Sequence, residues 1–155
     1  MDNLDEIMKG IKKCLDKNGV FITESHYLIP LLKETQYDTV YHEHLRYYSV
    51  TSLKKLFFKH GLQIFDVEKI PTHGGSIRVY SSYKNKFKVK KSVKSFLKDE
   101  KKYLNYNFFR KFENKVVLSK LQLLKILSNI KKSNLRIAGI SAVSYTHLRA
   151  HETEA

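Results

Sequence analysis

The chain of 155 residues has one cysteine, no tryptophan, two prolines and six glycines, and only five of its 29 basic residues are arginine. A lone thiol, Cys14, cannot close an internal disulfide, and its place in an apolar helical pattern predicts an inert core residue. No run reaches the roughly 18 uncharged apolar residues of a membrane span. The opening Met1-Asp2-Asn3-Leu4-Asp5-Glu6 lacks the basic-then-apolar order of a signal peptide. A cytoplasmic protein with no membrane partner is expected. The shortage of arginine also bears on nucleic acid. A net charge of +14 would attract phosphates, but bidentate recognition of phosphate or guanine favours Arg over Lys. An excess of Lys, Asn, Tyr and Ile is also what A- and T-rich codons supply without selection for a partner, so no nucleic-acid partner is expected.

What is present suits a packed core, with 42% apolar and 12% aromatic residues. Leu4, Ile7, Met8, Ile11 and Leu15 recur at spacings of three and four behind Asp2 or Asn3 as N-cap, which predicts an amphipathic helix stopped by Gly19. Val20-Phe21-Ile22-Thr23 reads as a central strand covered on both faces. The stretch from Glu24 to Tyr48 is polar and aromatic, with one or two helical turns near Leu28 to Leu32, and connections of this length are usually functional. Ser49 or Thr51 caps a second helix carried by Leu53, Leu56 and Phe57 and stopped at Gly61. Leu62 to Val67 and Ser76 to Tyr80 alternate as half-buried strands around a turn with Pro71, Gly74 and Gly75, which predicts an antiparallel pair.

From Lys90 to Lys132 the chain has neither Gly nor Pro. Its apolar spacing predicts a long helix, or two with a break near Asn105 to Asn107, packed on one face and wet on the lysine face. Leu135 to Ile140 reads as a new strand. After Ala142 lysine disappears, and Val143 to Ala155 resembles a translated adapter remnant that stands outside fold reasoning. His147 and His151 share a helical spacing there, but two ligands without a third do not make a metal site.

The chemistry gathers between Tyr37 and Tyr48, where Tyr-Asp-Thr-Val-Tyr-His-Glu-His-Leu-Arg-Tyr-Tyr holds two imidazoles, two carboxylates and four phenols. This segment follows the expected strand at its carboxyl end, the edge where open α/β sheets bind ligands. Composition alone leaves a structural reading, in which the rings bond one another, level with a functional one.

Three segments break the tie. Gly19 to Glu24, Gln36 to His44 and Thr72 to Tyr80 resemble successive motifs of the SAM-dependent deoxysugar C-methyltransferases, which methylate nucleotide-linked 4-keto sugars at carbon 3. The resemblance implies an α/β fold: residues 1–85 as the end of a class I, Rossmann-like methyltransferase sheet closing in an antiparallel hairpin. Residues 86–142 would then be a truncated C-terminal domain, with a long helix and a first strand, and residues 143–155 a tail. It also implies roles for residues. His44 would be the general base, Tyr41 a hydrogen-bond donor to the keto or enolate oxygen, and Glu43 a group that fixes the substrate or the imidazole tautomer, with His42 structural. His73, Gly74, Gly75 and Arg78 would contact the nucleotide-linked keto sugar. The glycine-rich turn that holds SAM is absent, as is the family's N-terminal cysteine-ligated zinc domain. The expectation is an acceptor-side fragment that neither binds SAM nor methylates by itself. The alternatives are a basic interaction or nucleic-acid protein without enzymatic activity, and a small hydrolase or metal enzyme built on the His-Glu-His cluster.

Overall fold

The computed structural model describes residues 3–40 and 44–136, apart from the side chain of His73. The chain divides into two compact units, Met1–Val116 and Val117–Ala155.

Helix α1, Leu4–Cys14, begins where the Asn3 side chain accepts from the N–H groups of Asp5 and Glu6. Asp5 and Glu6 occupy its first turn and Lys12 and Lys13 its last, both matching the helix dipole. Met8 is buried, and Ile11 and Leu15 pack beside it on the core. The helix ends at Leu15 in extended backbone, well before Gly19, so the glycine is not its cap. Cys14 is exposed rather than buried. It lies six residues past Met8, about 240° round the helix at 3.6 residues per turn, and so off the core side.

Strand β1 covers Phe21–His26. Among the described strands it lies at an edge of the sheet, and Ile22 on its outer face is 51% exposed. Phe21 on the inner face meets Phe57, ring centroids 5.7 Å apart. An unbroken apolar run looks the same whether one face is covered or two, and for that reason the sequence pattern misled. The connection that follows holds the helical turns expected near Leu28 to Leu32. It contains helix α2, Leu28–Glu34, and a 3-10 turn over Tyr37–Thr39.

Helix α3, Val50–Lys59, starts at Ser49, whose hydroxyl forms a capping box with Ser52. The expected hairpin is present as strands β2, Leu62–Ile70, and β3, Ser76–Tyr83, with a bulge between Ile64 and Asp66. The sheet order is β1-β3-β2, with β3 antiparallel to both neighbours, so β1 and β2 run parallel to each other with β3 between them. Leu62, Ile77 and Val79 from the sheet and Val50 and Phe57 from α3 are buried together. Each such side chain contributes about 1.5–3 kcal/mol of transfer free energy.

Helix α4, Lys91–Glu100, is fastened at both ends by carboxylates. At its start Asp66 accepts from the Lys90 ammonium and from the Ser92 hydroxyl. Burial alone would raise the Asp66 carboxyl, but these two donors and the Val67 N–H outweigh it and hold the group below the usual aspartate range. At its end Glu100, fully buried, accepts from the N–H groups of Val50 and Thr51 at 2.6 and 2.8 Å and from the Thr51 hydroxyl. A carboxylate there meets the positive end of the α3 dipole. The Tyr27 hydroxyl is pushed well above the usual tyrosine range, first by burial and then by the Glu100 charge.

The break expected near Asn105 to Asn107 lies at Lys101–Asn105, and helix α5 runs from Tyr106 to Lys132. No α5 residue is buried, and Leu118, Leu121 and Leu124 are each more than half exposed. Along the expected face Phe108, Phe112, Val116 and Leu127 are half-buried, whereas Leu121 and Leu124 are exposed. Leu135 and Arg136 are not in a strand, and the rest of the expected strand and the tail lie outside the described residues. No described helix is long and apolar enough to cross a membrane.

Candidate functional site

Four segments meet at one end of the sheet: the carboxyl end of β1, the residues after α2, the approach to α3, and the turn that enters β3. His26 ends β1, and its register partner is Ser76, the first residue of β3. The chain then bonds back to the hairpin turn, with the Tyr27 N–H donating to the Gly75 carbonyl at 3.0 Å. The strand pairing thus carries the turn to the place where β1 delivers its last side chain.

The turn Thr72–Gly74 and Gly75 has the backbone that its glycines allow, with φ of 74° at Gly74 and 116° at Gly75. Space demands them as well. A Cβ at Gly74 would lie 2.8 Å from the Gln36 amide nitrogen, and one at Gly75 would lie 2.9 Å from Cγ of Pro30.

Gln36 links three of the segments. Its Nε2 donates to the Gly74 carbonyl at 3.0 Å and to the Glu34 carboxylate at 2.6 Å, and its Oε1 lies 3.2 Å from Nε2 of His26. His26 sits edge-on to Tyr47, ring centroids 6.2 Å apart, and Tyr47 in turn lies 6.3 Å from His44. The Tyr47 hydroxyl donates to the Thr39 carbonyl at 2.6 Å, which ties the approach to α3 back to the 3-10 turn. His44 itself is exposed.

Of the residues expected to carry chemistry, His44, Gly74, Gly75 and Arg78 are described, and the first three adjoin the Gln36 network. Tyr41, His42 and Glu43 lie outside the described residues, as does the side chain of His73. Arg78 is engaged across the strands, donating to its register partner Glu24 at 2.9 and 3.2 Å, with Thr72 on the other oxygen of that carboxylate. The Glu24 carboxylate, with the Tyr80 hydroxyl second, holds the Arg78 guanidinium above its ordinary value. On the α2 side of the turn a cavity of about 400 Å³ is lined by Tyr27, Pro30, Lys33, Lys69 and Ser76 among others. The lining carries charge of both signs, with Glu34 beside the two lysines, whose ammonium groups lie over the rings of Tyr103 and Phe96.

Sequence reasoning missed His26, Glu34 and Tyr47 and quoted Gln36 without assigning it a role. One signal was available for His26, which directly follows the apolar strand run at its carboxyl end. The Gln36 contacts span 38 residues to Gly74 and leave no periodic trace.

Among the described residues no group of three His, Cys, Asp or Glu is placed to hold a metal ion. Gly19, which leads into β1, donates its N–H to the Asp16 carbonyl at 2.9 Å. A Cβ at Gly19 would meet Leu15 Cδ1 at 2.8 Å, so that turn is filled by its own chain.

Residues 71–148 match the family described as C-methyltransferase C-terminal domain, a span that takes in the turn, β3, α4 and α5. Over 80 residues the chain is 42% identical to C-methyltransferase NovU of Streptomyces niveus, an alignment covering 52% of this chain and 19% of that protein. The chain thus matches about a fifth of the length of that curated relative.

Proposed function

This chain belongs to the C-methyltransferase C-terminal domain family, and from that premise we propose that it is the acceptor-side portion of a cytoplasmic, SAM-dependent enzyme that methylates carbon beside the ketone of a nucleotide-linked 4-keto deoxysugar. SAM, when bound, supplies the electrophilic methyl group. On this reading the residues of this chain act on the sugar.

Methylation at carbon requires a nucleophilic carbon, so a proton must leave the position next to the ketone and the charge must settle on oxygen. A neutral imidazole suits the first task and a phenol or backbone N–H the second. His44 removes the proton. Tyr41 donates to the oxygen as it gains charge, and Glu43 fixes the substrate or the imidazole tautomer. His73, Gly74 and Gly75 line the sugar nucleotide, and Arg78 contacts it from β3, exchanging its bond to Glu24 for one to the ligand. The fold reading goes with this assignment. Residues 1–85 close a Rossmann-like sheet, which accounts for β1 and β2 running parallel and for the outer edge of β1 carrying no strand among the described residues. Residues 86–142 begin the second domain.

The observation that carries the proposal is that the family match begins at the glycine turn, and Gln36 ties this turn to the segment bearing His44. The test is solvent exchange. Full-length enzyme containing this segment, incubated in D2O with a nucleotide-linked 4-keto deoxysugar, should exchange the proton beside the ketone. On addition of SAM it should place the methyl on that carbon. Methylation at oxygen, or transfer to carbon from a position that never exchanges, would contradict it.

A further inference from the structure

We infer that Gln36 and His26 are positioning residues of the acceptor site, which set the glycine turn and His44 in register with each other. The inference rests on the function proposed above for the roles of the turn and of His44. Its geometry stands without that function.

The orientation of the Gln36 amide is fixed by its partners. Both groups facing its nitrogen, the Gly74 carbonyl and the Glu34 carboxylate, are acceptors, so Nε2 must be the NH2 end. The other end is therefore the carbonyl, and it faces His26 Nε2 at 3.2 Å. A carbonyl cannot donate. His26 must donate from Nε2, and this leaves Nδ1 as the ring atom without a proton in the neutral imidazole. One side chain thus holds the turn by its nitrogen and sets a histidine tautomer by its oxygen.

His26 passes that constraint on by packing. Its ring stands at 64° to the Tyr47 ring, whose own hydroxyl is held by Thr39 and whose other neighbour is His44. The contacts form a chain from Glu34 through Gln36, His26 and Tyr47 to His44, with a branch from Gln36 to Gly74. Gly74 belongs to the same device, because any Cβ there would push the Gln36 amide away. Positioning of this kind matters because small misplacements of a reacting group cost large factors in rate.

Two variants separate the positioning role from a merely structural one. Gln36→Glu keeps the shape but puts a second carboxylate against Glu34 and the Gly74 carbonyl. Gln36→Ala removes both ends. In the isolated chain, NMR should show the His26 ring N–H of the wild type protected from exchange and a contact between the Gln36 side-chain amide and Gly74. Gln36→Ala should lose both signals, Gln36→Glu should lose the contact to Gly74 while its carboxylate still accepts from His26, and both should shift the His44 ring resonances while the buried methyls of Leu62 and Ile77 stay in place. In the full-length enzyme the same variants should lower kcat about tenfold or more with the KM for SAM unchanged. His44 signals that do not move, or a kcat within about twofold of wild type, would overturn the inference. If NMR shows the coupling and the wild-type enzyme transfers no methyl to a keto sugar, the proposed function has failed and the positioning geometry has not.

Discussion

Helices α4 and α5 follow each other in the chain and are built from the same stock of lysines and apolar residues, yet they hold very different places in the fold. Helix α4 buries Val93 and Glu100 and is held at its start by Asp66 and at its end by the N-terminus of α3. Helix α5 buries nothing among the described residues and keeps Leu118, Leu121 and Leu124 more than half exposed. Apolar periodicity identifies a helix and its apolar side. It does not say whether anything covers that side, and in this chain a few carboxylates far apart in sequence make the distinction.

The largest effect that would break the contrast is Glu100→Ala. It leaves the Val50 and Thr51 N–H groups without their acceptor in a dry setting and frees the end of α4, at a cost of roughly 3 kcal/mol or more. Urea unfolding should show a midpoint far below that of wild type, and a change under about 1 kcal/mol would mean that water or Ser49 replaces the carboxylate. Asp66→Asn should cost less, about 1–2 kcal/mol, since the buried amide keeps one oxygen as an acceptor and loses only the charge-assisted part of the bonds. This contribution depends on pH with a definite sign. The folded Asp66 pKa lies below the ordinary 3.8, so its stabilisation is fully present above that value and is lost as the pH falls through the lower folded value. The gap between wild type and Asp66→Asn should therefore close in acid. The smallest effect is expected from Leu121→Glu in α5, within about 0.5 kcal/mol of wild type in the same urea series. A loss comparable to that of Asp66→Asn would show that the α5 face is covered in solution and would erase the contrast.

Much of the fold could be read from local pattern. The Asn3 and Ser49 caps, the interruption between α4 and α5 and the hairpin after Gly61 all rest on contacts between residues close in sequence. What failed was of another kind. Exposure of Ile22, of Cys14 and of the α5 leucines depends on which faces find a neighbour, and apolar character alone does not settle that. The site divides in the same way. The density of His, Tyr and carboxylate groups around His44, and the glycines of the turn, are visible as composition. The tie between them is a single glutamine reaching Gly74, and the partner that Arg78 finds in Glu24 follows from a strand register that no local pattern fixes.

His44 is the proposed base of the acceptor site. The most direct measurement is single-turnover methyl transfer by the full-length enzyme, both substrates saturating, with His44→Asn beside wild type. A fall of roughly 100-fold or more in the chemical rate, with SAM affinity nearly unchanged, is the result expected for the loss of a positioned base. A rate within about threefold of wild type would contradict it and remove His44 from that role.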